Sequence, residues 1–201
     1  METQINIAIF VSGSGTNMEN IVLHFEKNKK IKVAAVYCNN PEAYALKRAE
    51  KYKIPRIVFT KPQFFETHEV LHDLQSRHID WIILAGFLWL VPQSILQAFP
   101  QRIINIHPAL LPDFGGKGMY GMRVHEAVIK QGKRESGITI HTVDEKYDNG
   151  NILFQAKCKV SEMDTPQDLA HKIHQLEQQY FPIIIEKTVL ENHTNLRKTS
   201  I

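Results

Sequence analysis

Hydrophobic and polar positions along this 201-residue chain follow two alternating periods. Apolar runs of strand length occur at 5–11, 31–37, 56–59, 81–85 and 102–106. Residues 18–26, 42–52, 64–77 and 93–99 instead space their apolar side chains at helical intervals. An apolar strand followed by an amphipathic helix, repeated, predicts a parallel sheet with both faces covered. Further on, 124–130 has helical spacing, while 137–143 and 152–160 alternate as strands around Asp148-Asn149-Gly150, a turn sequence suited to an antiparallel pair. Thr165 and Asp168 have the spacing of a capping box with Pro166 at the first helical position, so a last helix starts there. Leu169, Ile173, Leu176 and Tyr180 form its apolar stripe; Pro182 is expected to kink it, and residues 191–201 form a polar tail expected to fray. The predicted architecture is α/β: a single Rossmann-like domain over 1–190, with a mostly parallel twisted sheet, helices on both faces, and an antiparallel strand pair near the C-terminus.

Composition narrows the function classes. Hydrophobic residues at 43% and charged residues at 22% are ordinary for a soluble protein, and no apolar run reaches the roughly 20 residues of a membrane helix. The chain enters its first strand without a basic leader, so the expected compartment is cytoplasmic and no membrane partner is expected. A net charge of +3 with dispersed Lys and Arg argues against a nucleic-acid surface but suits a small anionic substrate. Cys38 and Cys158 stand apart from each other and from histidine clusters, so neither zinc nor a disulfide is expected and both read as buried thiols.

The chemistry concentrates at two places. Residues 103–112 read IINIHPALLP: Asn105 and His107, two apart on a buried strand, project from one face, and Pro108 ends pairing just beyond them. An amide and an imidazole at a strand end sit where open α/β sheets bind ligands. Asp148 is a third candidate, although Asp-Asn-Gly is equally a hairpin turn. Together the three side chains suit acyl transfer to an amine: Asn105 donates to an oxyanion, and Asp148 holds His107 protonated. Neither a G-x-S-x-G elbow nor an activated thiol is needed, since the amine itself attacks. The second place is the turn Ser12-Gly13-Ser14-Gly15-Thr16-Asn17 between the first strand and helix. It is suited to a phosphate at a helix N-terminus, with plain turn geometry as the alternative. The third glycine of a dinucleotide fingerprint is missing, as is the acid after the second strand, and no Lys-Ser/Thr follows.

Four ordered motifs carry a resemblance over nearly the whole chain: SGSGTN, LAGFLWLVP at 84–92, NIHPALLP at 105–112, and GITIHTVDEKYDNG at 137–150. With them the chain resembles the phosphoribosylglycinamide formyltransferases, folate-dependent enzymes of purine biosynthesis. That resemblance implies a formyltransferase domain over 1–190, with 10-formyltetrahydrofolate as co-substrate, no metal, and a monomer or homodimer. The length favours this branch over relatives with an added tRNA or regulatory domain. By the same resemblance Gly15, Thr16 and Asn17 hold the substrate phosphate or ribose, Glu177 and more weakly His174 contact the ribose or glycinamide, and Asn105, His107 and Asp148 are catalytic. Folate is expected between the loop carrying Leu88, Trp89, Leu90 and Val91 and the loop carrying Asp144 and Tyr147, with Asn105 beside it. Departures from the family pattern are Trp89 in place of a common arginine, DNG in place of DGG, and a long loop DFGGKGMYGM at 113–122. That loop reads as a mobile flap or a plain surface loop, with Lys117 and His125 near enough to approach an anion. Two other readings compete: formyl transfer to another amine, such as an amino sugar nucleotide, and a non-catalytic binding protein for a phosphorylated metabolite.

Overall fold

The structure is a computed structural model that describes residues 4–198, with side chains to residue 192. Its strands are β1 (Ile5–Val11), β2 (Ile31–Cys38), β3 (Arg56–Val58), β4 (Trp81–Leu84), β5 (Ile103–His107), β6 (Glu135–Thr142) and β7 (Ile152–Lys159). They form one seven-stranded sheet in the order β3-β2-β1-β4-β5-β6-β7. The first five are parallel; β6 runs antiparallel to β5, and β7 antiparallel to β6. The helices are α1 (Thr16–Phe25), α2 (Tyr44–Lys51), α3 (Lys61–Phe65), α4 (Glu69–Ser76), α5 (Gln93–Ala98), α6 (Met122–Lys130) and α7 (Pro166–Lys198).

Two apolar cores sandwich the sheet because strand side chains alternate. Ile5, Ile7, Ile9 and Val11 of β1 pack with α1, α2, α6 and α7, whereas Ala8 and Phe10 pack with α3, α4 and α5. Trp81 and Ile83 against Ile82 and Leu84 repeat the division on β4. Both faces are thus apolar along one strand, which is why these segments read as continuous runs rather than alternating ones. From β1 the chain moves outward to β2 and β3, then returns to β4 on the other side of β1. Loops leaving β1 and β4 therefore diverge and open a crevice at their C-terminal ends.

Three local expectations differ. The stretch 64–77 is not one helix: Thr60 and Gln63 cap α3, the amides of Glu66 and Thr67 both bond to the Pro62 carbonyl, and His68 at φ 57 redirects the chain into α4. The Asp148-Asn149-Gly150 turn does not join β6 to β7 directly. It closes a long loop, with Asp148 at φ 53 and Gly150 packed so tightly on the Thr142 carbonyl that a Cβ would lie 1.7 Å from it. Helix α7 runs through Pro182 to Lys198, and no expectation is overturned there. Proline lacks the N–H that would bond to the Gln178 carbonyl, and Asn20 Nδ2 donates to that oxygen instead at 2.8 Å. The expected fraying tail therefore begins as helix, and its last residues, 199–201, lie outside the described ones. Cys38 is buried, but Cys158 is only half-buried on the edge strand; burial pushes both thiols up.

Candidate active site

A cleft of about 860 Å³ opens at the C-terminal ends of β1, β4 and β5, between the turn after β1, residues 86–91, the loop 116–123 and α7. Its volume and mixed lining match a site for small ligands.

The turn after β1 is held from behind. Ala45 N donates to the Gly13 carbonyl at 3.1 Å and Arg48 Nε to the Ser14 carbonyl at 3.0 Å, so α2 fixes the backbone. Gly15 caps α1 at φ 74, where a Cβ would lie 2.6 Å from the Ala45 Cβ, so glycine is required by close approach as well as by handedness. It does not line the cleft; Ser14, Thr16 and Asn17 do, at the positive end of α1. Asn17 Nδ2 donates to Glu177 Oε2 at 2.9 Å, and His174 Nδ1 approaches the same oxygen at 3.2 Å. That bond to Glu177 pushes the His174 imidazole up against the opposing effect of burial. Asn17 Oδ1 is buried without a hydrogen-bond partner.

The wall at 86–91 brings Leu88, Trp89, Leu90 and Val91 to the cleft. Trp89 belongs to an aromatic cluster with Phe59, Phe64, Phe65 and Phe87, at centroid distances of 5.9–6.2 Å, and Lys61 Nζ lies 5.7 Å from its ring. Ser12 Oγ accepts from Leu88 N at 3.1 Å and ties this wall to the turn after β1. Tyr147 lines the opposite side, but the Asp144 carboxylate turns into its own loop, accepting from Lys146 N and Asn149 Nδ2 at 2.8 Å each.

Asn105, His107 and Asp148 come together on the cleft wall, and a second histidine joins them. Antiparallel register sets His141 of β6 opposite Asn105 of β5, and Asn105 Nδ2 lies 3.1 Å from His141 Nε2. His141 Nδ1 donates to the Thr142 carbonyl at 2.8 Å, so Nε2 is the acceptor and one amide hydrogen of Asn105 stays free. Asp148 reaches both rings, with Oδ2 3.5 Å from His107 Nδ1 and Oδ1 3.6 Å from His141 Nε2, and Gly116 N donates to Oδ2 at 2.9 Å. His141 stands inside a motif already conspicuous in the sequence, but only the β5–β6 register reveals its partner. Burial works to raise the Asp148 carboxyl, yet the neighbouring His141 and His107 rings and the Gly116 amide outweigh it and hold the group below the ordinary carboxylate value.

His107 departs from the sequence expectation. Its ring is 3% exposed, and burial, the largest influence, pulls its pKa below the ordinary imidazole value despite Asp148 and the Phe114 carbonyl. A carboxylate alongside is thus insufficient to keep the ring cationic, because the cost of burying a charge exceeds that attraction. Its Nε2 donates to the Phe114 carbonyl at 2.8 Å, which pins the start of the glycine-rich loop to the site. Further along the loop, Gly116, Gly118 and Gly121 have φ of 94, 90 and 54, and Lys117 lines the cleft. His125 is not on that loop but on α6, 5% exposed and pulled below its ordinary pKa by burial, which makes it a poor anion ligand. Among the described residues, no group of three or more His, Cys, Asp or Glu side chains is placed to hold a metal, and no helix is long and apolar enough to cross a membrane.

A sequence model of the formyl transferase family matches residues 5–185. The chain is 35% identical over 186 residues to phosphoribosylglycinamide formyltransferase of Bacillus subtilis, covering 90% of this chain and 92% of that protein. It is 40% identical over 187 residues to the chloroplastic phosphoribosylglycinamide formyltransferase of Arabidopsis thaliana, covering 89% of this chain but spanning only 63% of that relative. The crystal structure of glycinamide ribonucleotide transformylase 1 from Geobacillus kaustophilus superposes with a TM-score of 0.83 at 33% identity, covering 91% of this chain and 97% of the other.

Proposed function

The chain belongs to the formyl transferase family, among the phosphoribosylglycinamide formyltransferases, and from that membership we propose that it moves a formyl group from 10-formyltetrahydrofolate to the amine of 5'-phosphoribosylglycinamide. One observation carries the reading: Asn105, its amide oriented by His141, shares a wall with His107 and Asp148 in a cleft that has a phosphate-type turn at one end and an aromatic wall at the other. The cleft suits the folate because Phe87 and Trp89 offer apolar area while polar groups stand opposite at residues 146–148.

When bound, 10-formyltetrahydrofolate supplies the formyl carbon, and the nitrogen it leaves takes up a proton. Ser14, Thr16 and Asn17, with the α1 amides, orient the phosphoribosyl end, and Glu177 Oε1 accepts from a hydroxyl or amine. Asn105 Nδ2 gives its free hydrogen to the oxygen that gains negative charge as the substrate amine attacks. His107 starts neutral; the growing oxyanion raises its proton affinity, and Asp148 stabilises the charge the ring then carries. Asp148 is also placed to accept the amine proton, directly or through water, and to share it with His107 Nδ1. Oxyanion stabilisation of this type is worth roughly 3–4 kcal/mol per donor.

The test is a coupled assay of the purified protein with 5'-phosphoribosylglycinamide and 10-formyltetrahydrofolate, scanned over pH. Turnover is expected, with kcat down by about a hundredfold or more in Asn105→Ala while substrate binding persists. Absence of turnover with this pair, or turnover confined to an amino sugar nucleotide, overturns the proposal.

A further inference from the structure

We infer that His125 is a substrate-binding residue that hydrogen-bonds the uncharged ribosylglycinamide portion of the ribonucleotide, an assignment that rests on the formyl-transfer reading above. Among the described residues the ring makes no hydrogen bond or ion pair, and its Nδ1 is buried without a partner although the side chain lines the cleft. A buried donor or acceptor with nothing to bond is costly, and such atoms in native proteins call for an explanation. Local packing offers none. Val124 and Val128 on the same helix are fully buried and apolar, so a leucine at 125 would suit the surroundings better. A ligand that satisfies the ring explains why the position is polar.

Its surroundings say which part of the substrate it meets. Glu177, bonded to Asn17 of the turn after β1, and His107, at the reacting end, line the same cleft as His125, and both are ionisable groups whose fields reach its ring. Burial keeps the ring neutral against the pull of Glu177, leaving one N–H donor and one lone pair. A neutral ring is poorly matched to a phosphate dianion. It is well matched to the amide and hydroxyls that lie between the phosphate and the attacking amine. Glu177 Oε2 is already taken by Asn17 and His174, and His125 lines the cleft alongside that carboxylate.

The experiment compares wild type with His125→Leu and His125→Asn, the latter placing an amide near the position of Nδ1. With each substrate varied in turn, His125→Leu is expected to raise KM for 5'-phosphoribosylglycinamide by about tenfold and to leave KM for 10-formyltetrahydrofolate within about twofold. His125→Asn should recover most of the loss. Because the leucine removes an unsatisfied buried atom, its melting temperature should equal or exceed that of wild type. An unchanged ribonucleotide KM in His125→Leu overturns the assignment, as does an equal rise in both KM values with a lowered melting temperature. A direct readout is the imidazole 15N resonance of His125, which should shift on adding the ribonucleotide alone and not the folate alone; no shift also overturns it. Failure of the formyl-transfer reading is separately visible, because wild type would then not turn over the substrate pair.

Discussion

Replacing Asp148 by asparagine keeps the shape of the side chain and removes its charge. The amide oxygen can still accept from Gly116 N, so the loop contact at 2.9 Å has a replacement. What is lost is the field on His107. Unit charges 3.5 Å apart attract by about 5 kcal/mol at an effective dielectric of about 20, a value that applies once the ring carries its proton. Burial, already the dominant influence on His107, then acts without its main opponent, so the ring pKa falls further below the ordinary imidazole value. Allowing for relaxation, about 3–4 kcal/mol of transition-state stabilisation should disappear, a fall in kcat of about 10²–10³. Steady-state kcat and KM of both variants from about pH 5 to 9 measure this, with thermal melts to confirm folding. KM values should change little, because Asp148 acts on charge that develops during the reaction. A folded Asp148→Asn protein with kcat within about threefold of wild type across that range would refute the electrostatic role.

Stability supplies four further tests. Gly15→Ala places a Cβ 2.6 Å from that of Ala45 at φ 74, and should cost about 2–4 kcal/mol in urea denaturation; a change under about 0.5 kcal/mol would contradict the close approach. Because the folded pKa of His107 lies below its unfolded value of about 6.5, its contribution to stability is complete above that pH and lost as pH falls through the folded value, so denaturation midpoints should drop on acidification below about pH 6.5 and drop less in His107→Gln. His174, raised by Glu177, has the opposite sign: its contribution is present below about pH 6.5 and is lost as pH rises through the raised value, a trend His174→Gln should remove. Asn20→Ala leaves the Gln178 carbonyl without its donor opposite Pro182, for a loss of about 0.5–1.5 kcal/mol in the same denaturation assay; no loss would show that solvent serves the carbonyl equally well.

The strands, the helical segments and the chemistry-bearing loops were largely legible from local pattern. Isoleucine-rich runs of strand length, Gly13 and Gly15 after the first of them, and Asn105 and His107 two residues apart all express backbone periodicity and turn chemistry, which act over a few residues. The capping box at Thr165 and Asp168 forms as its spacing predicts, with Thr165 N bonded to the carboxylate at 2.9 Å and Asp168 N to the Thr165 hydroxyl at 3.2 Å. Where a break depended on a competing bond, as at Glu66 and Thr67 on the Pro62 carbonyl, helical spacing alone missed it.

Three features belong to the tertiary structure alone. Strand register pairs His141 with Asn105, since antiparallel pairing couples residues 36 apart in the chain that no local pattern relates. Burial decides the charge state of His107: the sequence names its carboxylate partner but not the depth at which the pair sits, and desolvation outweighs the attraction. Folding also leaves the His125 nitrogen without a partner, because an unmet hydrogen bond is a property of everything around the ring and is invisible in residue types. By itself the sequence determined which elements form and which side chains stand at their ends, through interactions between near neighbours. The tertiary structure decided how those side chains are charged, paired or left open, because dielectric environment and hydrogen-bond supply depend on residues distant in the chain.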